Sequence, residues 1–288
     1  MSKRESLNRY VLIVNLLRRR PASFNDIIEM LERESDIQGY DFTMSKRTFQ
    51  RDCEDIAQLF NIEIVYDRHA NRYYIKYDDN SNTNERIMEA FDIFNALKIW
   101  DRLSDFVFFE NRRPGGTEYM QDLIKAIEGR IAVNIVYERF GIGESFQRLV
   151  EPYALKEFKN RWYLVGKDTF NDNIRTYGLD RISSIEFSYT KFTYPEGFSI
   201  SNYFKYCFGI FIPQKINPEK IVLSFKPQVG HYIKSMPLHE SQEVLADNEK
   251  EFRISLYLCI TPELITEVRS YGKGVKVIKP KSLTSQIG

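Results

Sequence analysis

Apolar residues recur at helical spacing through the first sixty positions of the chain. Leu7, Tyr10, Val11, Val14 and Leu17 mark one helix, which Arg18-Arg19-Arg20-Pro21 ends with cations and a proline that cannot continue it. Ser23 then caps a second helix with Phe24, Ile27, Ile28 and Leu31 inward, and Gly39-Tyr40-Asp41 connects onward. Ser45 caps a third, with Phe49, Cys53, Ile56, Ala57 and Phe60 inward. The period then drops to two. Ile62, Ile64 and Tyr66 alternate, Asp67 to Asn71 turns, and Tyr73, Ile75 and Tyr77 alternate back, which predicts a β-hairpin.

Asp78 to Asn84 is polar and aperiodic, and reads as a linker. Beyond it Ile87, Ala90, Phe91, Phe94, Leu97, Ile99 and Trp100 predict an apolar helix that Phe106 to Phe109 continues. A loop at Arg112 to Gly116 and a second helix over 117–127 follow. Faces this apolar need a partner surface, either the next domain or a second copy of the chain.

From Ile131 short strands take over: 132–137, 146–150, 153–158, 161–166 and 174–180, with a turn at Gly141-Ile142-Gly143. Their spacing predicts a small barrel. Past an aromatic-rich connection over 194–211, strands at 221–225 and 252–258, a helix at 263–270 ended by Gly272 and a strand at 275–278 predict a small α+β unit.

The chain has 288 residues, enough for two or three domains. A net charge of only +1 means that any nucleic-acid surface must be local. Aromatic residues make up 14%, which argues for packed cores over disorder. Cys53, Cys207 and Cys259 lie far apart, with no zinc spacing or disulfide framework. No apolar run reaches the roughly 20 residues of a membrane span, so a soluble cytoplasmic protein is expected.

Candidate chemistry sits in two places. Lys46, Arg47, Gln50 and Arg51 point away from the core at the start of the third helix, with Ser45 and Thr48 beside them, and no acid occurs from Phe42 to Arg51. Three helices and a hairpin spell a winged helix-turn-helix, whose third helix would enter the major groove of operator DNA. Arg47 would read guanine and Gln50 adenine, while Arg68, His69 and Arg72 on the hairpin would meet phosphates or the minor groove. The second place is Arg175-Thr176-Tyr177-Gly178-Leu179-Asp180-Arg181. As one strand it would set Arg175, Tyr177, Leu179 and Arg181 on one face, two cations around a ring that suit an anion carrying a flat base.

Enzymatic readings fare worse. His69, His231 and His239 lack metalloprotease spacing, and no nucleophile elbow or dinucleotide fingerprint appears. Asp168, Asp172 and Asp180 read as loop acids, because no lysine is spaced to complete a metal-dependent nuclease. No catalytic residue, metal or cofactor is expected. A nucleic-acid-binding adaptor without a switch is the alternative.

Trp162-Tyr163-Leu164, Glu151-Pro152-Tyr153-Ala154-Leu155 and Arg175 to Ile182 together resemble WYL-domain transcriptional regulators. Ser45 to Asp52 resembles the recognition helix usually joined to that domain, and Val268 to Pro280 its C-terminal extension. The resemblance implies an α+β multidomain chain: a winged helix-turn-helix over 1–78, a helical linker or dimerisation region over 79–130, an Sm-like, SH3-type ligand-sensing barrel over 131–212 and an α+β extension over 213–288. It also implies a homodimer that controls stress, DNA-damage or phage-defence genes. The effector would be a nucleotide or a single-stranded nucleic-acid fragment. Carried onto this chain, the ligand residues are Tyr137, Tyr153, Arg175, Tyr177 and Arg181, with Arg139 and Arg148 on neighbouring segments. Trp162 is expected in the core.

Overall fold

A computed structural model describes residues 3–77, 81–98, 115–140, 143–213 and 216–287. The chain divides into two compact units, Met1–Glu110 and Asn111–Gly288. The expected continuation at Phe106 to Phe109 and the end of the preceding helix at Ile99 and Trp100 lie outside the described residues, as do most of the loop before Gly115 and the start of the Gly141-Ile142-Gly143 turn.

The first unit opens with α1 (Lys3–Arg19), α2 (Phe24–Gln38) and α3 (Lys46–Phe60), followed by β1 (Glu63–Asp67) and β2 (Arg72–Lys76). Ser23 accepts from the Asp26 N–H while Asp26 accepts from the Ser23 N–H, so the start of α2 satisfies its own orphan donors. Gly39 closes α2 in the left-handed region, where a side chain would be strained. Ile13, Val14, Ile27, Leu31, Phe49 and Ile56 are fully buried at the helical spacing the sequence shows. The hairpin is anchored by a two-way bridge, in which Ala22 and Tyr73 exchange backbone hydrogen bonds of 3.0 and 2.7 Å.

One contact here joins two residues far apart in the chain. Arg9 interrupts the apolar pattern of α1, yet it is 2% exposed and grips Asp52 of α3 through two bonds, Nε–Oδ2 at 2.6 Å and Nη2–Oδ1 at 2.9 Å. A fork-to-fork pair of this kind locks two helices in register, because either charge alone would be stranded in the core.

The polar segment after the hairpin is not wholly a linker. Ser81 to Asn84 form the first turn of α4 (Ser81–Lys98), and Met88 and Phe91 of that helix pack in the first unit's core. The next described helix, Met120–Gly129, buries Leu123 and Ala126 in the second unit. The two helices expected between hairpin and strands therefore serve different cores.

The second unit carries a five-stranded antiparallel sheet in the order β6-β5-β4-β3-β7: β3 (Ile131–Glu138), β4 (Ser145–Phe158), β5 (Arg161–Asp168), β6 (Asn173–Gly178) and β7 (Ile182–Lys191). The segments expected as two strands, 146–150 and 153–158, are one long strand. Its first half pairs with β3, its second with β5, and the register slips between Pro152 and Ala154. Proline has no N–H for the ladder, so a bulge is where it fits. Gly166 opposite leaves room for the bend, since a Cβ there would stand 2.6 Å from the Glu151 carbonyl oxygen.

The C-terminal part runs β8 (Glu219–Phe225), helix Pro227–Ser235, β9 (Glu243–Asp247), β10 (Phe252–Leu258), helix Pro262–Ser270, β11 (Val275–Lys279) and helix Lys281–Ile287. Sheet order β11-β8-β10-β9 with this succession is a split β-α-β, ferredoxin-like arrangement. The helix at 227–235 and β9 had no clear sequence signal, because both are short and interrupted by polar residues. Mixed helices and antiparallel sheets thus make an α+β protein.

Candidate functional site

In the first unit, α3 presents Lys46, Arg47, Gln50 and Arg51 to solvent, as its buried residues Phe49, Asp52 and Ile56 require. Ser45 and Thr48 are occupied locally. The Ser45 hydroxyl accepts the Thr48 N–H at 3.2 Å and lies 3.0 Å from the Thr48 hydroxyl, which caps the helix start. On the hairpin Arg68, His69 and Arg72 are exposed, and the turn is shaped by Asp67, whose carboxylate accepts the N–H groups of His69 and Ala70. All nine residues of this face lie in one unit. Among the described residues none of its cations is in an ion pair.

The second site is built around Asp168, at the end of β5. Its side chain is fully buried, and its Oδ2 faces Arg148 Nε at 3.6 Å and Arg175 Nε at 3.8 Å. The Asn171 amide donates to the same oxygen at 3.1 Å, and Oδ1 accepts the Phe170 N–H at 2.9 Å. Asp168 therefore shapes the β5–β6 turn and orients two arginines at once. Burial alone would raise its pKa, but the Phe170 N–H, the Asn171 amide and Arg148 outweigh it and hold the carboxyl below its usual range. The arginines stand beyond hydrogen-bond length, so most of their N–H donors stay available.

Aromatic rings flank these cations. The Arg148 guanidinium lies 4.4 Å from the Phe146 ring and 5.1 Å from that of Phe170. Arg181 lies 4.9 Å from both Tyr137 and Phe140. Tyr137 and Tyr177 meet edge to face at 5.1 Å, and the Tyr137 hydroxyl accepts the Gly178 N–H. Both tyrosines are buried, and burial pushes both phenols up; at Tyr177 the Asp168 carboxylate adds to it. The Tyr177 hydroxyl faces that carboxylate outside good hydrogen-bond geometry.

The sequence expectations divide accordingly. The strand bearing Arg175 and Tyr177 ends at Gly178, and Leu179–Arg181 is a 3-10 turn, so Arg181 does not continue the strand face. It nonetheless returns to the site over Tyr137. Tyr153 is not part of it: its ring packs with Phe192, Tyr194 and Phe198, and its hydroxyl donates to Glu151. Tyr137 and Tyr177 form wall, whereas the open rings are Phe140, 61% exposed, and Phe170, 79% exposed. Neither phenylalanine stood out in the sequence, since both lie in turns. Trp162 is half-buried against the core that contains Leu164 and Tyr177.

Asp168, Asp172 and Asp180 each face a cation rather than a shared metal site. Asp172 pairs with Lys167 at 2.6 Å and Asp180 with Arg161 at 2.7 Å, while Asp168 holds its two arginines. Among the described residues no three metal-ligating side chains converge, and no helix is long and apolar enough to cross a membrane.

Two protein-family models match the chain, the WYL domain over residues 118–187 and the WCX domain over 217–287. Among solved structures it is similar to proteasome accessory factor B/C (PafBC) of Arthrobacter aurescens, at 20% identity and a TM-score of 0.39, over 98% of this chain and 45% of that one. It thus spans under half the length of PafBC. It is also similar to a CRISPR Cas-related protein, at 11% identity and a TM-score of 0.40, over 98% of this chain and 82% of that one. No curated protein matches it in sequence. The five-stranded sheet with its arginine site falls mainly in the first match and the ferredoxin-like part in the second, so the chain carries a WYL domain followed by a WCX domain.

Proposed function

We propose that the chain is a cytoplasmic, DNA-binding transcriptional regulator with two separate nucleic-acid sites. The three helices and hairpin act as a winged helix-turn-helix. The exposed start of α3 reads operator DNA, with Arg47 and Gln50 at base edges and the hairpin cations Arg68 and Arg72 on the backbone. The strands of the WYL region, read as a small SH3-type barrel, take the effector, a nucleotide or a short single-stranded nucleic acid. A homodimer would place two such heads on paired half-sites.

One observation carries the effector reading: Arg148 and Arg175 share a single buried carboxylate beside the open ring of Phe170. Two cations held by one acid leave an excess positive charge, which a phosphodiester satisfies. Arginine meets phosphate with a planar, bidentate fork. An exposed ring stacks bases without selecting sequence, worth about 1–3 kcal/mol per base. Regulation follows if the effector binds one arrangement of the dimer more tightly than another; equal affinity for both would shift nothing. Genes of stress, DNA-damage or phage-defence responses are the proposed targets.

Footprinting on the promoter of the protein's own operon, with and without short single strands, tests the reading. Arg47→Ala should weaken operator binding and spare oligonucleotide binding, and Arg175→Ala the reverse. If each substitution damages both activities equally in a folded protein, the two-site assignment fails.

A further inference from the structure

A second cleft, of about 450 Å³, opens elsewhere in the second unit, between the end of β4, the segment 200–209 and the turn at 238–240. None of its walls belongs to the arginine site. The volume falls in the range of small-molecule pockets, about 300–1,000 Å³. Leu155, Phe158, Phe204, Phe208 and Leu238 supply an apolar interior.

The lining also carries polar side chains, Lys156, Ser201, Lys205, His239 and Glu240. The alternation of β4 puts Lys156 on the same face as Ala154, whose neighbours are Val165, Phe204 and Cys207. Its ammonium lies 4.5 Å from the Phe204 ring and, among the described residues, has no carboxylate partner. Burial lowers its pKa, as expected of a cation drawn out of water. Lys205 stands at the rim, likewise outside any ion pair among the described residues. His239 is half-buried, and its Nδ1 accepts the Ser241 N–H at 3.1 Å. That bond leaves the ring proton on Nε2, a neutral donor, and burial lowers the imidazole's pKa in keeping with it. Glu240 is the one acid of the lining.

We propose that this cleft binds a small organic carboxylate with a flat apolar body, its anionic end at Lys156 and its body against Phe204, Phe208 and Leu238. A partly desolvated ammonium in an apolar wall calls for a compensating anion. One inner lysine and one neutral imidazole match a monoanion. A phosphate dianion would be served better by an arginine fork, and Glu240 would repel it.

The test is calorimetric titration of the full chain with 2-naphthoate, against neutral 2-naphthalenemethanol and sodium sulfate. One saturable site for naphthoate is expected, at least tenfold tighter than for the alcohol and not displaced by sulfate at matched ionic strength. Lys156→Met, which keeps the stem and removes the charge, should weaken naphthoate at least tenfold while leaving the alcohol unchanged. Leu238→Glu, in a half-buried turn, should abolish naphthoate binding and keeps the proposal testable if the lysine variant misfolds. Equal affinity for acid and alcohol, displacement by sulfate, absence of saturable binding, or unaltered binding in a folded Lys156→Met protein would each overturn it.

Discussion

The cationic face of α3 and the arginine site of the sheet differ in how their charges are held. Lys46, Arg47 and Arg51 extend from a helix start into water, with no ion pair among the described residues. Arg148 and Arg175 face one buried carboxylate, and Arg148 also lies over two rings. A free lysine or arginine gives up rotamer freedom only when it binds, which a long, repetitive polyanion offsets through many contacts. An effector of a few nucleotides offers few contacts, so its receptor must be ordered beforehand. The two regions show how one residue type, arginine, serves extended and compact partners through different surroundings.

The largest expected effect falls on the scaffold beneath the first region. Asp52→Asn takes the carboxylate away from the buried Arg9 guanidinium, and breaking such a buried pair costs about 3–5 kcal/mol. The first unit should lose its thermal transition before the second does, and operator binding should vanish with it while oligonucleotide binding survives. Loss of both together would show that the two regions are not independent.

Next comes the preorganisation itself. Asp168→Ala keeps both arginines but removes the carboxylate that they share. It should reduce oligonucleotide affinity about tenfold, which is about 1.4 kcal/mol, although it raises the local positive charge. Fluorescence anisotropy with a labelled short strand measures it; tighter binding would mean that bulk charge, and not fixed geometry, decides.

Ser45→Ala removes the hydroxyl that caps α3 and should cost about 1 kcal/mol of stability in urea denaturation. Operator affinity should fall with it, because the frayed turn carries Lys46 and Arg47. Arg47→Ala should lower the slope of log affinity against log salt by about 0.9 if its contact is to phosphate, and leave the slope nearly unchanged if it reads a base.

The smallest effect is in pH. The folded pKa of Asp168 lies below the usual 3.8, so its stabilising contribution is complete above that value and is lost as pH falls through the folded pKa. Stability of the wild type should therefore drop more steeply below about pH 4 than that of Asp168→Asn, as read by thermal melts across the acid range.

Much of the architecture was legible along the chain. Helical spacing marked α1 to α3, alternation marked the hairpin, and a motif series marked the WYL strands, because each of these signals is local and periodic. The exposed face of α3 followed from its buried face. Periodicity also split β4 into two strands at Pro152 and carried β6 through to Arg181, since a bulge across from Gly166 and a 3-10 turn leave no periodic trace. Tyr153 was grouped with Tyr137 and Tyr177, although strand pairing sends it to another aromatic cluster.

Sequence by itself determined most of the helical and strand segments, which side of each is apolar, and that basic and aromatic residues crowd two short stretches. Tertiary structure alone decided that Arg9 and Asp52, 43 residues apart, share one core, and that Asp168 gathers arginines from two strands that flank its own. The reason is physical. Periodicity is written within a segment by backbone geometry, whereas a pairing of charges depends on which segments the folded sheet and helices bring within a few ångströms, and no local pattern records that.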